Sequence, residues 1–235
     1  MADTILSFSK INEYLSCPSL YYKKNVTKEY DFEKDKNSAP LIRGNNIHSQ
    51  IEQYILQVKA KTQPIELSDD AKPGKSIVDK LFAAYPIVEA ELAIALDKDW
   101  KSIPINRWWQ EQDGRKSYIR AKLDITAIDG NKAVCVDIKS GKYRPYEDGE
   151  LTQLRLFALT VFALYPEVQE CETVYAFVDE KKMTKETFYR NQFDTLRAPF
   201  DKIHKQISEA QSFPATKNKN CKWCSVLECQ FKGKW

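Results

Sequence analysis

The sequence predicts an α/β fold, on three features of its 235 residues. The first third carries helical periodicity, and the middle carries β-rich runs broken at Asp-Gly. The last third reads as a helix, two strands and another helix. Hydrophobic residues make up 43% and charged residues 29%, enough apolar surface for a sizeable core and too much for a disordered chain. A net charge of +3 permits a polyanionic partner without arguing for one.

The first helix falls on "KINEYLSC", with Ser7 or Ser9 as its N-cap. A second covers 43–60, apolar at Ile47, Ile51, Tyr54, Ile55 and Val58. Residues 61–74 form a polar connector with two prolines, then come a helix at 75–85 and a strand at 86–96. Two hairpins follow. "INRWWQEQ" and "SYIRAKLDITAI" flank Asp113-Gly114, while "LDITAI" and "AVCVDI" flank Asp129-Gly130, where glycine supplies the positive φ of a tight turn. A helix spans 149–164, strands fall on "ETVYAFVDE" and "ETFYRNQF", and a last helix occupies 195–211. The expected organisation is one domain over 1–235: a helical part (1–85), an α/β core (86–211) and a cysteine-rich segment (212–235).

The start "MADTILSFSK" lacks the apolar stretch of a signal peptide. The most apolar run, 154–165, is too short to span a bilayer, so no membrane partner is expected. A cytoplasmic location with reduced thiols follows, and six cysteines then need a use other than disulfides. "DAKPGKS" ends like a phosphate-binding loop, but Asp69 holds the place of its first glycine, which excludes an ATP site.

The chemistry centres on "VCVDIKSGK" (134–142). Side chains alternate along a strand, so Asp137 and Lys139 share a face that Val136 and Ile138 do not. Asp124 lies thirteen residues earlier across one Asp-Gly turn, a spacing that sets the two carboxylates side by side. Neighbouring carboxylates repel unless a cation lies between them, and oxygen-rich sites suit Mg²⁺ or Mn²⁺. An ammonium beside such an ion can steady a phosphate or a water; a solvated hairpin is the plainer alternative. His48, one of two histidines, and the carbonyl of Ile138 would complete a mixed site. Gln153, early in the helix after Lys139, faces the same way as Phe157 and is a candidate for touching DNA.

"CKWCSVLEC" places Cys221, Cys224 and Cys229 within nine residues, and C-x₂-C is metal-binding spacing. Cys135 and Cys171 sit in apolar strands and read as buried hydrophobes. Cys17, before a proline at a helix end, is the best remaining candidate for a fourth ligand, to an iron–sulfur cluster or zinc. Arg107, Trp108 and Trp109, with Arg115 and Lys116 across the turn, offer charge and stacking to a nucleic-acid strand.

"SFSKINEYLSCPSLYYKK", "GNNIHSQIE", "AKLDITAI", "VDIKSGK" and "QLRLF" occur in an order that resembles the RecB-like exonuclease branch of the PD-(D/E)XK nuclease superfamily. That branch includes the nuclease domains of RecB and AddB, CRISPR-associated spacer-acquisition nucleases and phage exonucleases. The resemblance implies a restriction-endonuclease-like core, a mixed sheet flanked by helices, with a helical cap. It implies His48, Asp124 and Asp137 as metal ligands, Lys139 as the catalytic lysine and Gln153 as the start of a glutamine helix motif. It leaves Glu89 and Glu91 open as a further ligand. It implies a structural [4Fe-4S] cluster on Cys17, Cys221, Cys224 and Cys229. Phe157 replaces the family's tyrosine, and the gap before Cys229 is one residue short, which keeps Zn²⁺ open as the alternative. The implied activity is Mg²⁺- or Mn²⁺-dependent exonuclease action on DNA ends in recombination, repair or phage or CRISPR DNA processing. The chain lacks a motor, so a helicase or recombination protein is an implied partner. A structure-selective endonuclease and an inactive DNA-binding subunit are the alternatives.

Overall fold

The computed structural model describes residues 4–106, 109–144 and 149–234. The chain divides into two compact units, one taking the chain up to Ile42 and from Asp201 onward, the other Arg43–Phe200. Helices α1 (Phe8–Ser16), α2 (Pro18–Asn25), α3 (Phe32–Lys36), α4 (Ala39–Lys59) and α5 (Lys72–Ala84) come first. Strands β1 (Ile87–Leu96), β2 (Ser102–Ile103), β3 (Ile119–Asp129) and β4 (Lys132–Lys139) follow. Then come α6 (Gln153–Leu164), β5 (Glu170–Phe177), β6 (Lys182–Tyr189) and α7 (Phe193–Glu209).

In the Arg43–Phe200 unit the six strands form one mixed sheet in the order β2-β1-β3-β4-β5-β6. Only β4 and β5 run parallel, and the intervening α6 provides the long crossover that a parallel pair requires. The β3–β4 hairpin turns at Gly130, whose φ of +53° suits glycine, as Asp129-Gly130 predicts. One face of the sheet packs against α4 and α5: Ile47, Ile51, Tyr54 and Ile55 join Val78, Ile125, Val136, Ile138 and Val174 in one core. Each buried aliphatic side chain there contributes about 1.5–3 kcal/mol. Gly74 permits this packing, since a Cβ would stand 2.5 Å from Ile51 Cδ1. Its role is helix contact, in keeping with the rejected phosphate loop. α6 is buried nearly all round and is capped by Thr152, whose hydroxyl accepts from the Arg155 N–H at 3.1 Å.

One expected hairpin does not form. Of the described residues in 105–112, only Ile105 and Glu111 make an isolated bridge, and Asp113-Gly114 joins no strand pair. β3 begins only at Ile119, where the chain already runs along β1: Leu96 opposes Ile119, and the Tyr118 N–H donates to the Leu96 carbonyl at 2.7 Å. Asp113 is taken up locally by Arg115, whose Nε and Nη2 reach its Oδ2 at 2.8 and 2.6 Å. The first helix is also divided, because Cys17 ends α1 and Pro18 opens α2.

In the other unit, Ser7 caps α1 by accepting from the Lys10 N–H at 3.4 Å. The C-terminal segment is tied back to the N-terminal helices. The Asn218 side chain donates to the Ser16 carbonyl at 3.0 Å, and the Asp31 N–H donates to Ser225 at 2.8 Å. Tyr22 and Phe213 stack with centroids 4.5 Å apart.

Candidate metal and active site

β4 ends in Asp137, Ile138 and Lys139. Ile138 turns into the α4–α5 core, so Asp137 and Lys139 point away from it. Asp124 stands one position beyond the last paired residues of the β3–β4 hairpin, Ile125 and Val136, in the register that sets it beside Asp137. Its Oδ2 accepts from the Ile138 N–H at 2.8 Å, which fixes the carboxylate. α4 carries His48 one residue after the buried Ile47, and its Nδ1 lies 3.2 Å from Asp124 Oδ1 and 3.8 Å from Glu91 Oε1. His48, Glu91 and Asp124 offer ligand atoms all within 4.8 Å of one another, the spacing of a cation site.

Glu91 resolves the choice between two residues on one strand face. Ala90 pairs with Ile125 and Leu92 with Leu123, which sets Glu91 opposite Asp124. Glu91 itself has φ of +51°, a conformation costing a non-glycine residue about 1–3 kcal/mol. Its carboxylate is also paired with Lys122. Glu89 turns instead to Lys59 at 2.6 Å. Asp137, 3% exposed, is paired with Lys139 Nζ at 2.7 Å. That ammonium donates to Gln153 Oε1 at 3.0 Å and lies 5.0 Å over the Tyr175 ring. Tyr175 was missed in the sequence; its place follows from the parallel register that sets it beside Asp137. Phe157 is buried at 2% exposure within α6.

These groups perturb one another. Burial works against charge on His48, yet hydrogen bonds to Asp124 and Glu91 and the charge of Asp137 raise its pKa to about 10. Burial pushes Asp137 well above the usual carboxylate range, helped by Asp124, while Lys139 and His48 oppose the rise. Glu91, despite burial, is held low by hydrogen bonds from His48 and Lys122. The raised His48 pKa favours the folded protein fully below about pH 6.5. That contribution is lost as pH rises through about 10. A divalent ion must displace that proton and the one Asp137 retains. The apparent Mn²⁺ affinity is therefore expected to climb with pH toward about 10, by up to roughly tenfold per unit for each proton displaced. Calorimetry in buffers of different ionisation heat measures the release; an affinity flat with pH would place the ion elsewhere.

Of the remaining expected contacts, Arg107 and Trp108 lie outside the described residues. Arg115 is committed to Asp113 and to Asp97, 3.0 Å from its Nη1, while Lys116 is exposed.

In the other unit all four expected cysteines, Cys17, Cys221, Cys224 and Cys229, line one cavity of about 310 Å³. The Thr216 N–H donates to Cys17 Sγ at 3.3 Å and the Asn218 N–H to Cys221 Sγ at 3.4 Å. Burial raises the Cys224 pKa, and charges on Cys229, Cys17 and Cys221 add to it. Cys135 and Cys171 are buried within β4 and β5, as expected.

The Arg43–Phe200 sheet and this donor set bear on what the chain is similar to. A "Putative exonuclease" from Eubacterium rectale shares 15% identity at a TM-score of 0.51, over 95% of this chain and 86% of that one. The solved structure of SSO0001 shares 14% identity at a TM-score of 0.48, over 99% and 89%. No curated protein matches the chain. The PD-(D/E)XK nuclease superfamily profile matches residues 5–229. That match spans nearly the whole chain, includes every expected metal ligand and cysteine, and accompanies a mixed six-stranded sheet flanked by helices; the chain belongs to the PD-(D/E)XK nuclease superfamily.

Proposed function

We propose that the whole chain acts as one RecB-like DNA exonuclease, hydrolysing phosphodiester bonds from DNA ends with Mg²⁺ or Mn²⁺. The convergence of His48, Glu91 and Asp124 within 4.8 Å, next to the Asp137–Lys139 pair, carries the reading. His48, Glu91, Asp124 and Asp137, with the Ile138 carbonyl, are the donors for the ion. A divalent ion bound there supplies charge stabilisation at the scissile phosphate. Lys139, aimed by Asp137 and Gln153, orients the attacking water or takes up charge on a phosphate oxygen. Gln153 holds that ammonium from the first residue of α6, a rigid support.

The four cysteines are the donors for a [4Fe-4S] cluster, with zinc as the alternative. No three of their Sγ atoms lie within 4.8 Å of one another among the described residues. A helicase or recombination protein would supply opened ends, placing the activity in recombination, repair or phage or CRISPR DNA processing.

The test compares linear and covalently closed DNA, single- and double-stranded, with Mn²⁺, Mg²⁺ or EDTA. Cleavage that needs both a divalent ion and an end is expected. Nicking of closed circles would instead make the protein an endonuclease, and binding without cutting under any condition would make it a DNA-binding subunit.

A further inference from the structure

The Arg43–Phe200 unit holds a cavity of about 670 Å³ that none of the metal-site residues lines. Its floor is apolar, with Ile77 of α5, Val178 after β5 and the half-exposed Met183 of β6. Around it stand Lys72, Lys80, Lys181 and Lys182, with Asp69 as the only acid among the described residues that line it. Lys72 is paired with Asp69 at 2.6 Å and Lys182 with Glu180 at 3.0 Å. Lys80 and Lys181 are exposed, and neither has an ion pair or hydrogen bond among the described residues.

We propose that this groove seats the phosphates of the DNA strand next to the metal site, an inference that rests on the nuclease reading above. Continuity with the site favours DNA over other polyanions. The Val178 N–H donates to the Lys139 carbonyl at 3.1 Å, so a wall of the groove is bonded to the backbone of the candidate catalytic lysine. The β5–β6 turn also holds the segment after Lys139. Asp179 accepts from the Gly141 N–H at 2.7 Å and Glu180 from the Tyr143 N–H at 2.8 Å. Ile77 and Val178 belong to the α4–α5 face of the sheet, so a strand leaving Lys139 must cross the β5–β6 turn, where Lys181 stands, before it reaches Lys80 of α5. Unpaired lysines give up no internal partner when they take a phosphate, and an aliphatic floor accepts sugars and base faces without reading sequence.

The test is anisotropy of labelled single-stranded DNA, long enough to span both sites, against salt in EDTA. The double variant Lys80→Glu, Lys181→Glu is expected to bind at least tenfold more weakly. Losing two phosphate contacts should flatten the slope of log affinity on log salt by roughly 1.4. Metal-dependent cutting of oligonucleotides too short to reach the groove should stay at the wild-type rate. Lys98→Glu, a charge reversal at an exposed lysine paired only with its neighbour Asp99 among the described residues, is the control, and an equal loss there would overturn the proposal as a bulk-charge effect. So would an unchanged affinity and slope in the double variant. Loss of poly-glutamate binding with DNA binding intact would assign the groove to an acidic protein segment instead. If wild type never cuts, the nuclease reading fails, while the binding comparison still decides the groove.

Discussion

An Asp137→Asn variant is expected to lose metal-dependent DNA cleavage by roughly a thousandfold. In EDTA it is expected to melt at the wild-type temperature or above it. The two effects have one cause. Asp137 is 3% exposed, and burial and the neighbouring Asp124 both oppose its charge. Without a cation the folded state bears either that unfavourable charge or a proton bound to suppress it, and the isosteric amide avoids both while keeping the shape. The loss of Lys139's partner costs little, because that side chain is 36% exposed and can be solvated. With the ion present the same carboxylate becomes a donor, and removing it takes away both the ion and the aim of the lysine. Single-turnover cleavage at saturating Mn²⁺ and thermal melts in EDTA read the two halves separately. Cleavage near the wild-type rate would remove Asp137 from the reaction, and lost cleavage with a much lower melting temperature would mean damage to the fold.

How much of this was legible depended on whether local pattern or distant competition decided each feature. Asp124, Asp137 and Lys139 were legible because strand alternation and one Asp-Gly turn are local rules, and β3 and β4 obey them. Glu91 was not separable from Glu89, since both share one parity of β1. What separates them is a left-handed backbone at Glu91 and the capture of Glu89 by Lys59 at the end of α4. The Asp113-Gly114 hairpin failed for a similar reason: its local chemistry was sound, but the chain joins β1 as soon as β3 begins, and Asp113 is held by Arg115. The start of α4 at Ala39 escaped notice because Pro40 reads as a break, although proline is favoured in a first helical turn. The raised pKa of Asp137 depends on burial, which a sequence pattern does not give.

Replacing Cys221 or Cys224 with serine is expected to strip the bound metal and expose residues 212–234 to protease. The reason lies in how little else holds that segment. Cys221, Ser225 and Val226 are its buried residues among those described, while Trp223 is 72% and Leu227 52% exposed. Burying one valine contributes about 1.5–3 kcal/mol. Fixing some twenty residues of backbone costs about 1–2 kcal/mol each. Hydrogen bonds such as Asn218 to Ser16 add about 1 kcal/mol apiece and do not close that gap. Bonds from four thiolates to one bound group, on the order of 10 kcal/mol in metal-linked folding, would be the largest single contribution. Cys171→Ala is the contrast. It removes a buried thiol from β5, so it should lower stability modestly and leave metal content unchanged. Elemental analysis and visible absorption of anaerobically purified protein separate a coloured iron–sulfur cluster from colourless zinc, and limited proteolysis follows the segment. Serine variants that keep both metal and protease resistance would show that the four cysteines are not what holds the end of the chain.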